Sequence, residues 1–150
     1  MHAMWRILFI GALLAGSGLL AEKKLELKNL PPAVQKTIQD QTQGDQVTSI
    51  TQETENGVTQ YEVETLRNGK HRDFNVDTKG VLLEVEDETA FDALPDAAKA
   101  AITKKVAGGK LGRVETVTKR GATLYEAGYT ARNGKKHEIR VKPDGTEVKD

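Results

Sequence analysis

The chain has no cysteine. That excludes disulfide bridges, thiolate nucleophiles and thiolate metal sites, so packing alone must hold the fold even in an oxidising compartment. Serine is nearly missing as well: Ser17 and Ser49 are the only two among 150 residues. Ser49 falls in a segment of strand periodicity, with no Gly-rich elbow to expose and activate its hydroxyl. Of three histidines, His2 belongs to an N-terminal leader, and no second-ligand spacing surrounds His71 or His137. Aromatic residues make up 5% of the chain. Tyr61, Phe74 and Tyr125 occupy core phases, so too few remain for a platform that stacks bases or sugars. Neither sign of charge prevails, 22 Lys and Arg standing against 22 Asp and Glu, and no global field draws the chain to nucleic acid or an anionic membrane. Catalysis is not expected, and neither is a cofactor or a nucleic-acid partner.

There is one long apolar run, Ile7 to Ala21, interrupted by Gly11, Gly16 and Gly18. Met1 to Arg6 precedes it and Glu22-Lys23-Lys24 ends it, the layout of a secretory signal. Cleavage is expected after Ala21, with Ser17 as the alternative. The run is shorter than the about 20 apolar residues that span a bilayer. A periplasmic or secreted protein without stable membrane insertion is therefore expected, a retained anchor being the other possibility.

The rest of the chain carries a pattern that occurs twice. Leu30-Pro31-Pro32-Ala33-Val34 with Ile38 returns 64 positions later as Leu94-Pro95-Asp96-Ala97-Ala98 with Ile102. Gly57 and Tyr61 return as Gly121 and Tyr125. Asn68-Gly69-Lys70, Phe74, Val76 and Gly80 return 65 positions later as Asn133-Gly134-Lys135, Ile139, Val141 and Gly145. Joint recurrence of helix starts, turns and apolar positions points to a duplicated supersecondary unit. The residue gained between Tyr125 and Asn133 is expected as a β-bulge near Gly128.

Each copy opens on Leu-Pro, and proline suits the first helical turn, where its missing N–H has no intrahelical partner. Val34 and Ile38, and then Ala98, Ile102 and Val106, mark the buried faces of two short amphipathic helices. The period then drops to two. Val47 to Thr54, Tyr61 to Thr65, Phe74 to Val76 and Val81 to Val85 read as strands joined at Asn56-Gly57, Asn68-Gly69 and Thr78-Lys79-Gly80. The second copy repeats this order through Val148. The expected fold is α+β: two tandem repeats, each a helix followed by an antiparallel meander of about four strands. They share one sheet with both helices on one face. The segments are a signal peptide over 1–21, an N-terminal linker over 22–29, the first repeat over 30–88, a linker over 89–93 and the second repeat over 94–150.

The run Leu-Pro-x-Ala-Val/Ala-x-x-x-Ile, a glycine turn before Tyr-Glu-Val, and Phe-x-Val-Asp-x-x-Gly-x-x-x-Glu-Val resembles the PepSY domain family, most closely its PepSY-like branch similar to β-lactamase-inhibitor proteins. The resemblance covers both repeats, Leu30 to Glu88 and Leu94 to Asp150. It implies an extracytoplasmic, non-catalytic module, in some members linked to inhibition of peptidases or other enzymes. Lys142-Pro143-Asp144-Gly145 departs from the motif in the second copy, and the true inhibitors carry disulfides that this chain lacks.

Glu62 and Glu64 share one strand face and read as part of a solvated outer surface, since nothing apolar is placed to raise either pKa. Asp73, Asn75, Asp77 and Glu84 match positions 1, 3, 5 and 12 of a calcium loop. Thr78 stands where that loop wants glycine, and the flanking alternation reads strand–turn–strand. A protein that binds calcium or another metal through these four residues is the alternative reading. Gly108-Gly109 follows a helix instead of preceding one, so it reads as a helix C-cap and not a phosphate cradle.

Charge divides by repeat. Leu30 to Glu88 holds five Lys/Arg against twelve Asp/Glu, and Leu94 to Asp150 thirteen against seven. Either this bipolarity orients a partner or the two halves attract each other. The favoured function is a non-catalytic binding protein that engages a protein or peptide through the helix-free sheet face, as a modulator or inhibitor of a secreted or envelope enzyme such as a peptidase. By strand phase that face carries Glu62, Glu64, Asp73 and Asn75, then Glu126, Lys136, Glu138 and Arg140. Tyr129 is expected as an exposed anchor. Reversing the charges of Lys136 and Arg140 is expected to weaken capture without lowering thermal stability.

Overall fold

A computed structural model describes residues 24–55 and 57–149. The expected signal peptide and its cleavage site lie outside the described residues, as does Asn56. The element order is α1 (Pro32–Gln41), β1 (Gln46–Glu55), β2 (Val58–Arg67), β3 (Lys70–Asp77), β4 (Leu82–Glu88), α2 (Asp96–Val106), β5 (Lys110–Lys119), β6 (Ala122–Thr130), β7 (Lys136–Val141) and β8 (Glu147–Val148). Short 3-10 turns, Leu27–Asn29 and Phe91–Ala93, lead into the helices.

Both helices follow an extended proline, Pro31 or Pro95. Val34 and Ile38 face inward from α1, and Ala98 and Ile102 from α2; all four are fully buried. Burial of an aliphatic side chain such as Val34 or Ile38 contributes about 1.5–3 kcal/mol. Thr42 Oγ1 donates to the Ile38 carbonyl at 2.7 Å and closes α1. In α2, Asp96 sits in the first turn and Lys104 and Lys105 in the last, the order that suits the helix dipole.

The eight strands form one antiparallel sheet in sequence order, β1 to β8. Asn68 and Gly69 both have positive φ, the type I′ geometry that keeps Arg67 opposite Lys70. Gly80 and Gly145 have a further reason to be glycine. A Cβ on Gly80 would lie 2.6 Å from the Ala33 carbonyl oxygen, and one on Gly145 would lie 2.6 Å from that of Ala97. The β3–β4 and β7–β8 turns therefore press against the first turns of α1 and α2, and Thr37 Oγ1 donates to the Gly80 carbonyl at 2.6 Å.

Following the register across the ladder puts Val63, Phe74 and Val85 in phase with Thr118, and Val114, Ala127 and Ile139 in phase with one another on that same side. Both helices cover this side. The apolar core is split into two clusters: Leu30, Val34, Ile38, Ile50, Tyr61, Val63, Phe74 and Val76 around α1, and Leu94, Ala98, Ile102, Val114, Ala127, Tyr129, Ile139 and Val141 around α2. Between them, on β4 and β5, Asp87 and Thr118 are exposed.

Two expectations need correction here. Gly128 lies in regular register opposite Glu138, so it is not a bulge. The additional residue is taken up in the β6–β7 connection, where Thr130 pairs with Lys136 across the five residues 131–135, against the four residues 67–70 between the equivalent pair Leu66 and His71. A longer turn accommodates an insertion without disturbing ladder hydrogen bonds. Tyr129 is 7% exposed rather than a surface anchor. It is in phase with Ala127 on the helix side, packs in the second cluster and stacks on His137 with ring centroids 5.4 Å apart.

Candidate functional site

Among the described residues no helix covers the other side of the sheet. Alternation along β2, β3, β6 and β7 directs Glu62, Glu64, Asp73, Asn75, Glu126, Lys136, Glu138 and Arg140 to it. The β3–β4 and β4–β5 registers add Glu84, Glu86, Glu115 and Lys119. The face is not the solvated carboxylate surface that alternation predicts: Glu62, Asp73, Glu84, Glu86, Glu115 and Glu126 are all buried. Strand period reports direction, but exposure depends on which side chains the neighbouring strands bring alongside.

Arg140, on β7, is the centre of the arrangement. Its Nη2 donates to Glu84 at 2.8 Å and to Glu86 at 3.1 Å, and its Nε donates to Glu126. Lys119 Nζ lies 2.8 Å from Glu84, opposite it on the ladder. Arg113 Nη1 lies 3.3 Å from Glu115 and 3.8 Å from Asp73. Asp73 Oδ1 also accepts the Thr65 backbone N–H at 3.1 Å. Burial pushes the Glu84 carboxyl upward, yet Arg140 and Lys119 outweigh it and hold the group below its ordinary value of 4.5. Lys119, Arg140 and Arg113 come from the basic half, and Glu84, Glu86 and Asp73 from the acidic half. Much of the charge separation along the chain is thus spent in holding the halves together across β4 and β5.

Within this network, carboxylate oxygens of Glu86, Glu115 and Glu126 lie within 4.8 Å of one another. The four calcium-loop positions are arranged differently. Asp73 and Asn75 stand on β3, and Glu84 on β4 is paired with Arg140 and Lys119. Asp77 Oδ1 accepts the backbone N–H groups of Lys79 and Val81, each at 2.8 Å, and so holds the hairpin turn. Strand–turn–strand replaces the calcium-loop geometry. Lys136 and Glu138 are exposed toward the far edge of the sheet.

Glu86, Glu115, Arg113 and Lys119 were not anticipated as site residues. Glu84 and Glu86 flank Val85 with strand spacing, so their direction is readable. Their partners are not, because α2 separates β4 from β5 and no hairpin sets that register. Arg72 turns to the opposite side. Its guanidinium lies 5.5 Å from the Phe74 ring and donates to the carbonyl and side chain of Gln41, tying β3 to the end of α1.

No helix among the described residues is long and apolar enough to cross a membrane. No family model matches the sequence, and no curated protein matches it. Solved structures share the fold. A Bacteroides eggerthii protein described as periplasmic has a TM-score of 0.63 and 15% identity, over 80% of this chain and 86% of that one. A DUF2874 family protein from Bacteroides ovatus has a TM-score of 0.61 and 16% identity, over 81% and 86% of the two chains. A BLIP-like protein from Bacteroides fragilis has a TM-score of 0.55 and 18% identity, over 80% and 84%. The chain is similar in fold to periplasmic and BLIP-like proteins of Bacteroides.

Proposed function

We propose that this chain is an extracytoplasmic, non-catalytic binding protein built from two tandem helix-plus-four-strand copies, and that its open sheet face receives a protein partner. The observation that carries this reading is a broad polar face, uncovered among the described residues, whose charged side chains are already held in place by one another. Such preorganisation lowers the ordering cost of association. A secreted or envelope enzyme, a peptidase among them, is the partner class in keeping with the resemblance to inhibitor-like domains.

Affinity capture from an extracytoplasmic extract at low and high salt tests this. The protein is compared with Lys136→Glu on the open face and Lys36→Glu on the outer side of α1. One dominant protein, lost at high salt and with Lys136→Glu but kept with Lys36→Glu, is the expected result. Capture that survives changes on the open face and fails with Lys36→Glu would move the interface to the helices.

A second reading rests on the Glu86, Glu115 and Glu126 oxygens, which are close enough to share one hard cation such as Ca²⁺. A ligand that binds only the folded state must stabilise it, so millimolar Ca²⁺ would raise the melting temperature of the protein but not that of Glu115→Gln. An unmoved melting temperature removes this reading.

A further inference from the structure

One pairing in the sheet lacks what the others have. From β1 to β7, an apolar residue stands opposite another in every pair of neighbouring strands but one. Ile50 is opposite Val63, Val63 opposite Phe74, and Phe74 opposite Val85. In the second half Val114 is opposite Ala127, and Ala127 opposite Ile139. The exception is β4 with β5, which pairs Glu84 with Lys119, Val85 with Thr118, Glu86 with Val117, Asp87 with Thr116 and Glu88 with Glu115. In no pair of that ladder are both side chains apolar.

The apolar clusters divide at the same place, one around α1 and one around α2. Polar ties of the helices also stay within their halves. Arg72 donates to Gln41 and Thr37 to Gly80 in the first, and Lys105 Nζ lies 2.8 Å from Glu147 in the second. Among the described residues, the ion pairs that cross are Lys119 with Glu84, Arg140 with Glu84 and Glu86, and Arg113 with Asp73. Backbone bonds cross as well, in the β4–β5 ladder and from Thr89 N–H to the Val114 carbonyl at 2.9 Å. Two apolar cores are thus joined by backbone hydrogen bonds and by charge.

We propose that the β4–β5 ladder is a joint that acid opens: protonation of the carboxylates on its open side uncouples the two halves, while each keeps its own helix-covered core. The inference stands whether or not the open face receives a partner. The charged groups around Glu84 come from every neighbouring strand: Asp73 on β3, Glu86 on β4, Arg113, Glu115 and Lys119 on β5, Glu126 on β6 and Arg140 on β7. Asn75, opposite Glu84 on β3, is uncharged. Asp87, on the helix side, lies 3.5 Å from Arg72 of its own half and does not act across the joint. Glu84 is held below 4.5, so its share of the coupling is complete above that value and is lost as pH falls through the folded pKa. Arg113, Lys119 and Arg140 keep their charge in acid, and repulsion then replaces attraction at the joint. Apolar packing has no such dependence on protons, so the cores outlast it.

Hydrogen exchange read amide by amide, from neutral pH down to about pH 2.5 and corrected for the intrinsic rate, tests this. Lys119 and Ala122 flank the two-residue β5–β6 turn as a hydrogen-bonded pair, so the N–H groups of Thr118 and Thr116 point to β4 and report on the joint. Phe74 and Ile139 report on the two cores. Protection at Thr116 and Thr118 is expected to fall by about tenfold or more at a pH where Phe74 and Ile139 keep theirs. Glu84→Gln, which removes the charge without acid, is expected to bring the same selective loss at neutral pH. Thr118→Val gives Val85 an apolar partner at an exposed position, and is expected to keep the joint protected to lower pH than in wild type. Loss of protection at all four amides at one pH in wild type overturns the proposal. So does a folded Glu84→Gln whose Thr116 and Thr118 amides exchange as in wild type. If Glu84→Gln does not fold, the wild-type and Thr118→Val series decide, and an unshifted Thr118→Val series then counts against the proposal.

Discussion

Arg140→Met is expected to destabilise the protein by about 3–5 kcal/mol at neutral pH, because it takes the guanidinium from buried carboxylates of Glu84, Glu86 and Glu126. For a chain of this size that corresponds to a drop in melting temperature of roughly 10–15 °C. Methionine keeps much of the side-chain length, so the loss is one of charge and hydrogen bonding more than of volume. The expectation from strand phase, that charge reversal at Arg140 leaves stability intact, does not hold for a residue with three internal carboxylate partners. Lys136, exposed on the same strand, remains suitable for that test.

The effect must depend on pH. In the folded protein the Glu84 pKa is held below 4.5, so its contribution is fully present above that value and is lost as pH falls through the depressed folded pKa. In Arg140→Met the depression shrinks. The gap between variant and wild type is therefore expected to be widest near pH 7 and to narrow as pH falls below about 4.5. Urea unfolding midpoints across this range check it; an equal gap at both ends would mean that Arg140 acts through packing.

Phe74→Ala is the second large effect. Phe74 is 1% exposed and is the largest of the fully buried side chains. Its removal opens a cavity between α1 and the sheet at an expected cost of about 3–5 kcal/mol. The Arg72 guanidinium also loses the ring it lies over, and with it part of the tie between β3 and the end of α1. This loss comes mainly from apolar burial, so in the same urea series it is expected to be nearly constant with pH, in contrast to Arg140→Met. Phe91→Ala, at a half-buried position in the second 3-10 turn, is expected to cost clearly less.

Local signals carried far into this fold. The Leu-Pro starts mark both helices, and Val34 with Ile38 and Ala98 with Ile102 mark their buried faces. Gly57, Gly69, Gly80, Gly121, Gly134 and Gly145 all take positive φ at strand connections. Each depends on a few neighbouring residues, which is why each is legible in one dimension. Strand phase also put the right residue types on the open face. It failed at Tyr129 because the inserted residue entered the β6–β7 turn and left β6 regular.

An α+β chain with two short helices, eight segments of strand periodicity and a divided charge is legible in the order of residues alone. What that charge does is fixed by how the strands come together. The β4–β5 register is set through α2 and not by a hairpin. It is this register that brings Lys119 opposite Glu84 and lets Arg140, 54 positions beyond Glu86, complete the pairing. Contacts between residues so far apart depend on strand order and sheet register together, and neither is encoded in any local stretch of the chain.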